Sequence, residues 1–413
     1  MICRGFIRSI RRARGAHLLA GLLFLGAVGC GGGGSSSGGS QPPSPVPPEP
    51  DPTPSGPTAW VWDLPPGFPV PLVPAENPMT EEKFQLGRHL FYEKKLSVTE
   101  DTSCATCHDQ SRAFTDGRPR AIGATGEVHP RNAQGLANIA YAPTLTWNNP
   151  NETRLANQLL TPLFGEDPVE LGLSGLEDLL FERLRAEELY QELFTAAFPD
   201  EADPFTIENL AFAIEVFELA LISGRSPYDR YIYGGDEDAL SEGAKRGMDH
   251  FFSENLDCTH CHGGSNFASA LNHEGNQSDS TPFENNGLYN IGGTGNYPAD
   301  NQGLYEFTGR ERDKGRMKPP SLRNICVTDP YMHDGSLTTL EEVIDHYERG
   351  GTRVDSGPLA GDGRDSPNKS DFITGFLLSR QGKVDVVEFL CSLTDDEFLA
   401  NPRFSDPFTS AAD

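Results

Sequence analysis

The sequence predicts a mainly helical fold, and three observations predict it. Apolar residues recur at helical spacing, capping side chains stand in front of those stretches, and two Cys-x-x-Cys-His pentapeptides each lie among helical segments. In chain order, Ser174-Gly-Leu-Glu177 reads as a capping box that opens Leu176, Leu179, Leu180 and Leu184 on one face, in a stretch running to about Phe198. Thr206 caps a second helix, Ile207 to Ser223, closed by Gly224. A third runs from Ser241 to Phe252, straight into the second pentapeptide. Thr339-Leu-Glu-Glu342 is another capping box, and Leu340, Val343 and Tyr347 share the face of the helix behind it.

The pentapeptides are Cys104-Ala-Thr-Cys107-His108 and Cys258-Thr-His-Cys261-His262. Two thiols at this spacing can add across the two vinyl groups of a porphyrin, and the adjacent imidazole then meets the iron from one face. A thioredoxin-like site would want a βαβ pattern around the motif, which is absent. A zinc site shared by both pairs would need free thiolates, which suits an oxidising compartment poorly. The histidines sit 154 residues apart, about one small domain each. The reading is therefore two helical domains, residues 59–225 and 226–400, each wrapped around a covalent haem c, with a tail at 401–413.

Residues 1–29 read as an export signal: Arg4, Arg8, Arg11, Arg12 and Arg14 precede an apolar run that ends in Ala-Val-Gly-Cys30. The junction resembles a lipoprotein lipobox, which would lipidate Cys30 and hold the chain in the periplasm, on the outer membrane. Residues 30–58 are a Gly/Ser/Pro-rich tether. The whole chain carries a formal charge of −27, and losing the five signal arginines leaves about −32. Nucleic acid and anionic lipid are poor partners for such a surface. Of eight cysteines, Cys326 and Cys391 have no role in signal, lipid or haem attachment. They either bridge or stay as two buried thiols.

LGRHLFYEKKLS, SCATCHDQSRAFTDGRP and LRNICVTDPYMHDGSLTTLEEV resemble the di-haem cytochrome c peroxidase and MauG superfamily over about residues 75 to 397. The resemblance implies two cytochrome c-like domains packed face to face, a peroxide-reacting N-terminal haem and a second haem that holds an oxidising equivalent. Conventional peroxidases of this kind carry a displaceable histidine after Ile-Gly, where this chain has Ala124, so the His108 haem should be five-coordinate unless His129 swings in. They also carry a methionine fourteen residues beyond the histidine of PY-x-H. From His333, itself counted with the haem-site residues, that position is Tyr347. A phenolate is a harder, anionic ligand than a thioether and favours high-valent iron, as in MauG, where two Fe(IV) centres store the oxidising power. By the same resemblance Trp147 exchanges electrons between the haems, and Gln158 and Glu170 are the distal pair, Glu170 moving the peroxide proton. Asn132, with the carbonyls of Thr328 and Pro330, would hold an inter-haem calcium.

PVELGL, FFSENLDCTHCHGG, HYERGG and PNKSDFITGFLLS look most like MbnH-type enzymes. That resemblance implies oxidation, by hydrogen peroxide, of a tryptophan in a periplasmic MbnP-type copper-binding partner to kynurenine. Two alternatives stay open: a scavenger of hydrogen peroxide fed by a small cytochrome or cupredoxin, and an electron-transfer cytochrome with no catalysis.

Overall fold

Two helix crossings, one in each half of the chain, set the architecture. The computed structural model describes residues 56–278 and 281–409; the signal, Cys30 and the tether up to residue 55 lie outside the described residues. In the first crossing, helix Glu81–Tyr92 packs on helix Ile207–Leu219 so closely that a Cβ on Gly87 would stand 1.9 Å from the Ala213 carbonyl oxygen. In the second, helix Glu242–Phe251 packs on helix Arg380–Cys391, and a Cβ on Gly247 would stand 1.8 Å from the Asp385 carbonyl oxygen. Only a residue without a side chain permits backbones to approach like this.

The apolar core follows the same division. One cluster gathers Phe84, Leu90, Phe91, Phe114, Leu184, Phe194 and Phe217, and Phe398 and Phe404 return to it from the C-terminal end. The other is built on Tyr228, Phe251, Phe267, Leu340, Ile344 and Phe389. Arg323 stands between them. Its fully buried guanidinium pairs with Asp229 at 2.6 Å and lies over the rings of Phe68, Tyr228 and Phe267, so its charge is neutralised and its flat faces are covered by aromatic carbon. A buried polar network joins the same halves. Asn138 and Asn324 are both in the left-handed conformation; Asn138 exchanges hydrogen bonds with the Ser223 backbone, Asn324 donates to the Ser223 hydroxyl, and Asp395 accepts from that hydroxyl and the Gly224 amide.

Several predicted helix bounds need correction. The stretch opened by Ser174 is two helices, Glu177–Arg185 and Glu188–Ala197, because Glu187 turns to extended backbone between them. No capping box forms there: Leu176 occupies the cap and the Ser174 hydroxyl donates to Glu166 instead. Thr206 does cap, accepting from the Asn209 amide, but its helix stops at Leu219, since the amides of Ser223 and Gly224 are taken by Asn138 and Asp395. Ser241 caps Glu242–Phe251, and Thr339 and Glu342 form the capping box of Leu340–Arg349 as expected.

Cys326 and Cys391 form a disulfide with their Cα atoms 4.9 Å apart. It closes a loop of 65 residues, for which the chain-entropy argument assigns about 4 kcal/mol. Strand structure among the described residues is limited to one two-stranded ribbon, Arg353–Val354 with Gly361–Asp362. No helix among them is long and apolar enough to cross a membrane.

Candidate functional site

Each Cys-x-x-Cys-His motif opens onto its own cavity. Cys104–Cys107 is a single helical turn, capped through Ser103 and Thr106, and the His108 amide donates to the Cys104 carbonyl at 3.0 Å. The His108 Nδ1 lies 2.7 Å from the Phe114 carbonyl oxygen, which Ala113 and Phe114 deliver by both adopting positive φ. That bond fixes the ring and leaves Nε2 for the cavity, as haem ligation requires. His262 is held alike, with Nδ1 3.1 Å from the Pro320 carbonyl oxygen. Phe267, five residues on, also has positive φ.

The four motif cysteines are not bridged. Burial raises all their thiols, Cys107 and Cys261 to about 11. Each cavity carries its two motif cysteines and its motif histidine on a wall that is mostly apolar carbon, the surroundings a macrocycle needs. The residues present therefore fit two covalent haems.

Around the first cavity the structure brings together Gln158, Glu170 and His129. Gln158 ends the short helix Leu155–Gln158. Glu170 is fastened on both sides, its carbonyl accepting from Ala124 at 2.6 Å and the next amide, Leu171, donating to Pro162 at 2.9 Å. Burial raises its carboxyl to about 7, the range of a proton carrier at neutral pH. Ala124 offers no ligand atom. His129 follows directly on the Ile122–Val128 pair of a hairpin.

The second cavity carries His262 on one element and Tyr347 on another, with Leu340, Val343 and Ile344 of the same helix as Tyr347 also on its wall. Burial pushes the Tyr347 phenol up to about 12, opposed by a hydrogen bond with the Asn286 side chain. His346, beside Tyr347 on the same helix, has both ring nitrogens engaged, by Thr352 and the Asn286 carbonyl. Met332 lines the cavity with its sulfur 3.4 Å from the Asn286 amide nitrogen. His333 lies on the wall too, its Nε2 buried and without a partner.

Between them lies a third cavity, lined by Asn132, Thr328, Pro330, Trp147 and Lys318. Asn132, Thr328 and Pro330 thus line one cavity. Asn132 gives its side-chain amide nitrogen to the Arg118 carbonyl at 2.6 Å, which leaves its Oδ1 for a cation. No group of three or more His, Cys, Asp or Glu able to hold a metal occurs among the described residues, so such a site would rest on neutral oxygens. Trp147 lines this cavity and the second one, while its neighbours Leu145 and Thr146 line the first. Its indole donates to the Asn132 carbonyl at 2.9 Å, and its ring centroid lies 6.5 Å from that of His333.

Sequence reasoning missed the carbonyls of Phe114 and Pro320, for which no side-chain signal exists. It also missed Lys318. That lysine is buried, which lowers it to about 8; its Nζ donates to the Thr144 and Leu145 carbonyls, and its backbone amide donates to Trp147. A lysine directly before two prolines was the available sign.

The profile of the di-haem cytochrome c peroxidase family matches residues 81–238. The methylamine utilization protein MauG of Methylorubrum extorquens is 33% identical over 329 residues, covering 78% of this chain and 80% of that protein. A cytochrome-c peroxidase of a Pseudomonas species is 32% identical over 81% of this chain and 86% of its own length. Among solved structures, a MauG-like protein associated with microbial copper homeostasis superposes with a TM-score of 0.83 at 48% identity, over 85% of this chain and all of that one. With two c-type haem motifs, two cavities that fit the macrocycle and this breadth of similarity, the chain belongs to the di-haem cytochrome c peroxidase family, on its MauG-like side, and is a haem oxidoreductase.

Proposed function

We propose that this enzyme uses hydrogen peroxide to oxidise a tryptophan of a separate protein, as a MauG- and MbnH-like di-haem peroxidase. When bound, the haems supply the redox chemistry, taking two oxidising equivalents from one peroxide and sharing them. The observation that carries the reading is Tyr347 on the wall of the His262 cavity, where a phenolate ligand would favour the stored, oxidised state over simple electron relay. Glu170 and Gln158 serve the first cavity, Glu170 taking and returning the proton that O–O cleavage needs. Trp147 joins the two centres through the central cavity. Asn132 with the Thr328 and Pro330 carbonyls holds calcium beside it, and His333 serves the second haem.

The likeness to a protein associated with copper homeostasis supports an MbnP-type, copper-binding partner as the substrate. The export signal supports a periplasmic site of action, with a lipid anchor at Cys30 on the outer membrane. The test is mass spectrometry of an exported copper-handling protein encoded beside this chain, after incubation with the two-haem enzyme and peroxide. Conversion of one tryptophan to kynurenine supports the proposal. An unaltered partner, together with rapid peroxide turnover on reduced cytochrome, would replace it with the scavenging peroxidase.

A further inference from the structure

We infer that His129 is a second proton-transfer residue of the peroxide reaction, working with Glu170 across the first cavity. The inference rests on the proposed peroxide chemistry at His108. It starts from the hairpin that carries His129. The Gly123 amide donates to the Glu127 carbonyl and the His129 amide to the Ala121 carbonyl, both at 2.9 Å. The hairpin is pinned to the Glu170 segment: the Ala124 amide donates to the Glu170 carbonyl, and the Glu127 carboxylate accepts from the Val169 amide at 2.9 Å. A Cβ on Gly123 would stand 1.9 Å from the Val169 carbonyl oxygen, so the close seat itself depends on glycine. His129 is thereby held on the element that touches Glu170.

The side chain then points to a use. His129 is 15% exposed, and its Nδ1 lies 3.7 Å from the Glu170 Oε1, too far for a direct hydrogen bond and right for a proton shared through one small molecule. Its Nε2 is buried with no partner, although the residue lines the cavity with His108 and Gln158. A buried ring nitrogen left unpaired is costly, so a histidine kept in this state on the wall of the cavity holds a proton position that the resting fold does not use. The charges around it are Glu127 on its own hairpin, Arg131 tied to Asn301 and Glu306, and buried Glu218 on the same cavity wall.

In the step, the proton on the near oxygen of hydrogen peroxide passes to the His129–Glu170 pair and returns to the far oxygen. The O–O bond breaks and the far oxygen leaves as water carrying both protons, while the near oxygen would stay at the first haem centre, the two electrons of the cleavage being the chemistry the haem pair would supply. No proton is gained or lost by the pair over the step.

Cyanide tests this without turnover, because hydrogen cyanide must give its proton to a base as it binds ferric haem. In the two-haem protein, His129→Leu is expected to slow cyanide association at the His108 haem by about tenfold to a hundredfold, with haem content and spin state unchanged. His129→Gln, which keeps polarity and bulk without basicity, is expected to be equally slow, so a packing defect in the leucine variant cannot imitate the result. The double variant with Glu170→Gln is expected to lose less than the product of the single losses. Wild-type cyanide rates in both His129 variants would overturn the inference and leave the proposed function intact. Loss of a low-spin signal on substitution would overturn it by making His129 an iron ligand. Fully multiplicative losses would overturn the pairing. A wild-type protein inert to cyanide would instead overturn the open-cavity reading, and this inference with it.

Discussion

Replacing Glu170 by glutamine removes its basicity while keeping its shape, and the structure sets the size of the effect. The side chain is half-buried on the cavity wall, and that burial raises its carboxyl to about 7. A raised pKa keeps the neutral acid at low pH, so the proton-accepting form disappears as pH falls. The ionised fraction is about one tenth at pH 6 and about nine tenths at pH 8. The rate of the first reaction with peroxide should therefore rise about tenfold across that interval and then level off. In Glu170→Gln the rise should vanish, and the rate at pH 8 should fall by about 10²- to 10⁴-fold, the usual contribution of a placed acid–base group. Stopped-flow absorbance at the Soret band, over a buffer series at constant ionic strength, measures both quantities. Haem content of the variant, checked in parallel, guards against a structural defect. A variant within threefold of wild type that keeps the same pH profile would refute the assignment.

Intact mass should show two haems on protein matured in a host that attaches c-type haem, and EPR should show one high-spin and one low-spin ferric centre. Two low-spin signals would mean a sixth ligand at the His108 haem. Tyr347→Phe should keep both haems and still consume peroxide, yet lose the long-lived two-electron-oxidised state seen by near-infrared and Mössbauer spectroscopy. Persistence of that state would remove Tyr347 as a ligand and return attention to Met332, since both nitrogens of His346 are already engaged. Gly247→Ala, which forces a methyl into the Asp385 carbonyl, should cost about 2 kcal/mol or more; an unchanged melting temperature would show that the two helices can part freely.

The sequence by itself determined whatever depends on neighbours along the chain. Haem attachment is of this kind, because the porphyrin dictates a spacing of five consecutive residues. So are the caps at Thr206, Ser241 and Thr339, where one side chain reaches an amide three residues ahead. The leucine run behind Ser174 shows the limit: its periodicity was legible, but the extended turn at Glu187 leaves the helical spacing unbroken and gives no sign. Only the tertiary structure decided which distant groups meet. It closed the Cys326–Cys391 disulfide, put Tyr347 on the wall of the cavity of His262, and gathered His129, Gln158 and Glu170 around that of His108. It also turned the carbonyls of Phe114 and Pro320 toward the haem-site imidazoles. These pairings rest on helix crossings made possible by Gly87 and Gly247 and on a hairpin seated through Gly123. Close approach of two backbones is a property of surfaces brought together in space, and a glycine in a sequence does not say what will come to lie against it.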